Sequence, residues 1–312
     1  DVPYGVEKQS KKGNITLYKN KYALPFAYAY DSYMTEQQYE QLNGIGKEQA
    51  MLAQIILNQH PADKEIQHNE QRNDPDIQTI SLPETRISSP KGKKYADITV
   101  PVEKDKETYL YFKNLVYHGK KNGDDNFILT GRKGTKGILV TQNDVQQKIH
   151  IQSTFNPYYF GRKDYIVKIN HQTSKAKEKV RLNFLSPGEY EFDDISLITV
   201  PKKDVLVRLK ERKENSMKQI QYEGNHFRGV YHAKKDQILC VTIPYSKGWK
   251  ATVNGNRTKI YKANGMFMGI IMKKGTQSVK LDYETPGLKI GAWISLVAWI
   301  GLGIYGLYFE KY

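Results

Sequence analysis

The sequence predicts a mainly β chain: two β-sandwich or jelly-roll-like modules, a small N-terminal α/β segment and one C-terminal transmembrane helix. Three observations predict it. Short apolar–polar alternations broken by Gly, Asn, Asp and Pro fill most of 93–285. Aromatic residues are abundant, with 23 Tyr, 10 Phe and 3 Trp, as a sheet-based core favours. A run of 20 residues without charge, Ile290 to Phe309, stands near the end. The expected organisation is an N-terminal α/β segment (1–59), a loop or linker (60–92), a jelly-roll-like sandwich (93–200), a small C-terminal sandwich (201–285), and a transmembrane helix with tail (286–312).

Asp1-Val2-Pro3-Tyr4 has no initiator Met and no apolar leader, which reads as a piece of something longer. Ile15-Thr16-Leu17-Tyr18 alternates, Lys19-Asn20-Lys21 turns and 23–30 is apolar, predicting a hairpin or two short strands. Thr35 with Gln38 three residues on is a capping-box signature. Gly44 and Gly46 divide 35–58 into two short helices, and Met51, Leu52, Ile55 and Ile56 give the second an apolar face. Pro61, Pro75, Pro83 and Pro90 punctuate a polar, aperiodic stretch, read as a loop.

From 95 to 200 nearly every run reads as strand. The closing run, 187–197, resembles the last strands of galactose-binding-like jelly rolls, a likeness of fold that implies no ligand. Residues 201–215 read as a short helix and linker. In 216–285, Asn254-Gly255 is a strong type I′ hairpin signal. Cys240, flanked by Leu239 and Val241, reads as a buried structural thiol. Trp249 opens a strand after the Ser246-Lys247-Gly248 turn and is expected to cover the end of this module.

The last apolar run would span about 30 Å as a helix, the thickness of a hydrocarbon core. Trp293, Trp299, Tyr305 and Tyr308 add aromatics of the kind found at membrane interfaces, with Trp299 mid-span. A buried core helix is the competing reading, and the polarity of the remaining chain disfavours it. Residues 1–288 carry 46 basic against 32 acidic residues. These charges are scattered, and no RRM-like, KH-like or helix-turn-helix pattern accompanies them. The expected partners are therefore the membrane and a polyanionic polymer or anionic head groups, and not nucleic acid. One cysteine excludes an intramolecular disulfide and a cysteine-based structural zinc.

Catalytic motifs are absent: there is no G-x-S-x-G, H-E-x-x-H, Walker A or G-x-G-x-x-G. Asp74-Pro75-Asp76 matches the D-x-D of some glycosyltransferases but sits in a Pro-rich loop. Asp193-Asp194 offers clustered oxygens for a hard cation, although a turn is the simpler reading. The Gly-rich run 131–137 reads as a hairpin turn rather than a phosphate cradle, because it lacks phosphate-loop spacing and sits between strands. No catalytic residue, metal site or cofactor is assigned. The ligand candidates are the aromatic turn Tyr158, Tyr159 and Phe160 with Arg162, whose flat rings suit sugars, and basic clusters. One cluster holds Lys120, Lys121, Arg132, Lys133 and Lys136. The other holds Lys202, Lys203, Arg208, Lys210, Arg212 and Lys213.

Ile243-Pro244-Tyr245-Ser246-Lys247-Gly248-Trp249-Lys250-Ala251, then Val253-Asn254-Gly255, Asn264-Gly265-Met266-Phe267-Met268-Gly269, Val279-Lys280-Leu281-Asp282-Tyr283 and Pro286-Gly287-Leu288-Lys289-Ile290-Gly291 run into the apolar helix. This series resembles the C-terminal end of the bacterial YfhO family. Val2-Pro3-Tyr4-Gly5 and Tyr18-Lys19-Asn20-Lys21-Tyr22-Ala23-Leu24-Pro25 are similar to the family's segment just after its membrane bundle. The resemblance implies part of a Gram-positive membrane protein similar to GT-C glycosyltransferases, which use a polyprenyl-phosphate sugar and glycosylate teichoic acid outside the cell. It implies that 1–288 is extracytoplasmic on the cell membrane and positions an anionic glycopolymer acceptor. The family's catalytic acid lies in a loop outside this sequence, so none is carried over. The rival expectation is a non-catalytic carbohydrate-binding or structural module of a membrane protein.

Overall fold

The computed structural model describes residues 6–61, 66–69, 76–80, 84–101, 103, 105–119, 137–143, 145–151, 160–169 and 177–310. Strands dominate, as the alternating patterns predict. The chain forms two compact units, one of residues 1–43, 47–72 and 207–312, the other of 44–46 and 73–206.

The second unit contains three antiparallel sheets. One orders its strands Tyr165–Ile169, Lys106–Lys113, Asp194–Pro201, Asp76–Ile80; another orders Val145–His150, Gly137–Gln142, Lys177–Phe184, Lys94–Pro101. The third joins Val116–Gly119, Gly188–Glu191 and Arg86–Ser89. Period-2 patterning does the folding work here: in Lys177–Phe184 the residues Val180, Leu182 and Phe184 point inward while Lys177, Lys179 and Arg181 face water. Leu182 pairs with Val140 and Phe184 with Ile138, and all four join Leu110, Phe112 and Leu197 in one core. Tyr190 is fully buried. Its hydroxyl accepts from the Ser186 amide at 2.9 Å and donates to the Gly137 carbonyl at 3.2 Å, so this buried phenol is paired.

The first unit pairs two sheets over a second core. A five-stranded sheet runs Lys218–Glu223, His226–Ala233, Gly275–Tyr283, Trp249–Val253, Asn256–Thr258. A seven-stranded sheet runs Ala27–Tyr30, Gln237–Val241, Phe267–Met272, Ile260–Ala263, Ile55–Leu57, Ser32–Thr35, Gln67–His68. Phe227, Tyr231, Val279 and Leu281 from the first meet Leu239, Val241, Met268 and Ile270 from the second. Asn254 and Gly255 have φ of 50° and 82°, the pair of left-handed residues that a type I′ turn requires, and Val253 faces Asn256 across it. Gly248 is obligatory: a Cβ there would lie 2.3 Å from the Glu284 carbonyl oxygen. Trp249 is half-buried, packs on this core and meets Tyr283 at 5.1 Å between ring centroids.

Two expectations change. Residues 1–59 and 201–285 are not separate modules, because strands from both interleave in the seven-stranded sheet. The stretch 60–92 is not only loop: it supplies strands Gln67–His68, Asp76–Ile80 and Arg86–Ser89. Of the hairpin or two short strands expected over 15–30, two short strands form: Ile15–Asn20 pairs backward with Val6–Lys12, and Ala27–Tyr30 pairs with Gln237–Val241. The capping box forms, with the Gln38 amide donating to Thr35 Oγ1 at 3.4 Å and the Thr35 amide to Gln38 Oε1 at 3.0 Å. Helices Glu36–Glu40 and Gly44–Ala53 follow, and Lys202–Glu214 is helical.

Candidate functional site

The sequence-derived candidates separate on inspection. Arg132, Lys133, Tyr158 and Tyr159 lie outside the described residues, as do Lys120, Lys121 and Lys136. Phe160 is 71% exposed. Arg162 lies over the Tyr165 ring at 4.8 Å and its Nε donates to the Asp164 carbonyl at 3.0 Å. The two flank one exposed segment before the strand Tyr165–Ile169.

Arg212, expected among the basic ligand candidates, is instead only 4% exposed. Its guanidinium donates to the Ala29 carbonyl and lies 4.4 Å from the Tyr30 ring centroid. A buried cation survives by such hydrogen bonding and ring contact, so Arg212 fastens the helix Lys202–Glu214 to the strand Ala27–Tyr30 and is not available to a ligand. Asp193 accepts from Asn114 at 3.1 Å and Asp194 from Ser196 at 2.5 Å, which is turn chemistry. Among the described residues no group of three or more His, Cys, Asp or Glu is placed to hold a metal.

The structure adds a cleft that sequence reasoning missed. It has a volume of ≈ 730 Å³ and is lined by Gln221, Tyr222, Glu223, His226, Arg228 and Lys280. These residues converge because antiparallel register aligns them: Gln221 faces Arg228, Arg228 faces Lys280, and His226 faces Asp282. Alternation turns Phe227, Val279 and Leu281 into the core and leaves His226, Arg228 and Lys280 outside. Arg228 Nε donates to Gln221 Oε1 at 2.6 Å. His226 Nδ1 lies 2.6 Å from Asp282 Oδ1, and Lys280 Nζ 3.1 Å from Asp282 Oδ2. The His226 hydrogen bond, opposed by burial and reinforced by Lys280, holds the Asp282 carboxyl below its usual range. The available signal was the spacing of charged residues in two strands, but only the register reveals that they meet.

The same sheet leads directly to the apolar helix. The strand Gly275–Tyr283 ends five residues before the helix Leu288–Phe309 begins. Glu284 bridges the junction, with Lys250 at 3.0 Å and Lys289 at 2.8 Å. All residues of the helix are exposed, including Trp293 at 67% and Trp299 at 74%. Its length and composition suit a membrane crossing, and its exposure rules out the core-helix reading within this chain.

The family described as bacterial membrane protein YfhO matches residues 2–295. A curated relative, the uncharacterized protein YfhO of Bacillus subtilis (strain 168), is 29% identical over 306 residues. That alignment covers 95% of this chain and 33% of the relative, so the chain spans a third of that protein's length. The structure of the arabinofuranosyltransferase AftD from Mycobacteria aligns with 62% of this chain and 14% of its own, at 13% identity and a TM-score of 0.23. Dimeric latent PorU from Porphyromonas gingivalis aligns with 67% and 20%, at 9% identity and a TM-score of 0.25. Scores this low establish no shared fold.

Proposed function

The chain belongs to the YfhO family of bacterial membrane proteins, and from that premise we propose that residues 1–288 are an extracytoplasmic region of a Gram-positive membrane glycosyltransferase. The activity proposed is glycosylation of teichoic acid from a polyprenyl-phosphate sugar. This region positions the anionic acceptor, and the chemistry belongs to the membrane bundle of the longer protein.

The observation that carries the reading is the short junction between a polar β unit and an uncovered apolar helix. Lys280, which lines the cleft, is eight residues before Leu288, so that edge of the cleft lies within about 28 Å of the start of the span even for extended chain. A polymer anchored in the same membrane would meet this face first. The basic surplus of 1–288 raises its local concentration, by an attraction reaching about 8–10 Å at physiological salt. The test is titration of the 312-residue chain in nanodiscs with purified lipoteichoic acid. Binding that weakens at least about tenfold between low and high salt is expected for multivalent charge pairing. No binding at low salt, or binding that salt leaves unchanged, contradicts the acceptor role. A host whose YfhO-type protein lacks the matching region should lose teichoic acid glycosylation. Unchanged glycosylation would favour the structural-module alternative.

A further inference from the structure

We propose that the cleft lined by Tyr222, Glu223, His226, Arg228 and Lys280 is a subsite for one pyranose ring of a glycan. The proposal rests on the reading that this region holds a glycopolymer, and it names the part that reads sugar instead of charge.

The aromatic platform comes first. Tyr222 is 62% exposed on an edge strand, which leaves the flat face of its ring open for stacking. Phe227 lies 6.4 Å from its centroid and supports it from the core. Around this ring stand both donors and acceptors. Gln221 holds Arg228 Nε, which leaves both terminal amino groups of the guanidinium for a ligand. Asp282 holds His226 Nδ1, which fixes the ring and leaves Nε2. Glu223 supplies a carboxylate acceptor beside them.

A site for phosphate alone would be built differently. Arg228 and Lys280 are cations, but Glu223 lines the same cleft and Asp282 neutralises Lys280 at 3.1 Å. The two carboxylates offset the two cations, so a dianion gains little. A hydroxyl both donates and accepts, and a sugar's adjacent hydroxyls can use a guanidinium and a carboxylate together. Its apolar ring face can cover Tyr222. The volume of ≈ 730 Å³ lies within the range of small-ligand clefts.

Saturation-transfer NMR on the 312-residue chain in nanodiscs tests this directly. The probes are methyl glucopyranoside, methyl galactopyranoside, methyl N-acetylglucosaminide and glycerol phosphate. Transfer to the ring protons of at least one glycoside is expected. Tyr222→Ala should reduce it at least fivefold, Tyr222→Phe should retain it, and Glu223→Gln should weaken it. No transfer to any glycoside, transfer unchanged in Tyr222→Ala, or transfer to glycerol phosphate alone would overturn the assignment. No glycoside transfer while lipoteichoic acid binding persists removes the cleft and leaves the acceptor reading standing. Tyr222-dependent glycoside transfer without lipoteichoic acid binding does the reverse.

Discussion

Arg212 sits in a lysine-rich stretch and still ends in the core, because the Ala29 carbonyl and the Tyr30 ring face receive its charge. Truncation would leave that carbonyl unpaired and open a void beside Tyr30. Arg212→Ala should therefore cost about 3 kcal/mol in urea unfolding, while salt-dependent polymer binding by the folded variant stays at the parent level. A fully stable variant would place the side chain outside the core. Cys240 makes the complementary case. Burial pushes its thiol from 9.0 up to about 12, so the folded chain holds a proton that the unfolded chain releases. Stability is therefore complete below about pH 9 and falls as pH rises from there toward 12. Cys240→Ala should show a shallower fall between pH 8 and 10.5 in denaturant midpoints. An identical slope would remove the thiol from the account.

Among the elements, those whose signals are local were legible in the sequence. The Thr35 capping box, the Asn254-Gly255 hairpin, the strands around Val180 and Ile195, and the final helix all follow from spacing of a few residues. Long-range pairing was not legible. Ala27–Tyr30 joins Gln237–Val241 across about 210 residues, and neither strand carries a mark that names its partner. The same reason hid the cleft, since Arg228 and Lys280 are ordinary surface charges until the register sets them opposite each other. The discontinuous unit makes a prediction of its own. Residues 73–206, which contain nearly all of one unit, should unfold cooperatively when expressed alone. Residues 207–285 alone should not, because the strand Ala27–Tyr30 and its neighbours are missing from their sheet. Residues 1–285 should be soluble and folded without the span. Circular dichroism melts of the three fragments check this, and a cooperative melt of 207–285 would contradict it.

For the whole molecule, the account depends on which side of the membrane the β units occupy. Positive charge near a short loop would orient a span, but large domains cross regardless of it, so the surplus of 46 basic over 32 acidic residues in 1–288 is compatible with export. Cys240 is the sole cysteine and is fully buried, which makes the chain a clean background for labelling. Asn256 lies exposed on the edge strand Asn256–Thr258. With Asn256→Cys in the full-length membrane protein, its other cysteines removed, a membrane-impermeant maleimide should label intact protoplasts as fully as lysed ones. Labelling that appears only after lysis would put these residues in the cytoplasm and contradict the extracytoplasmic acceptor role.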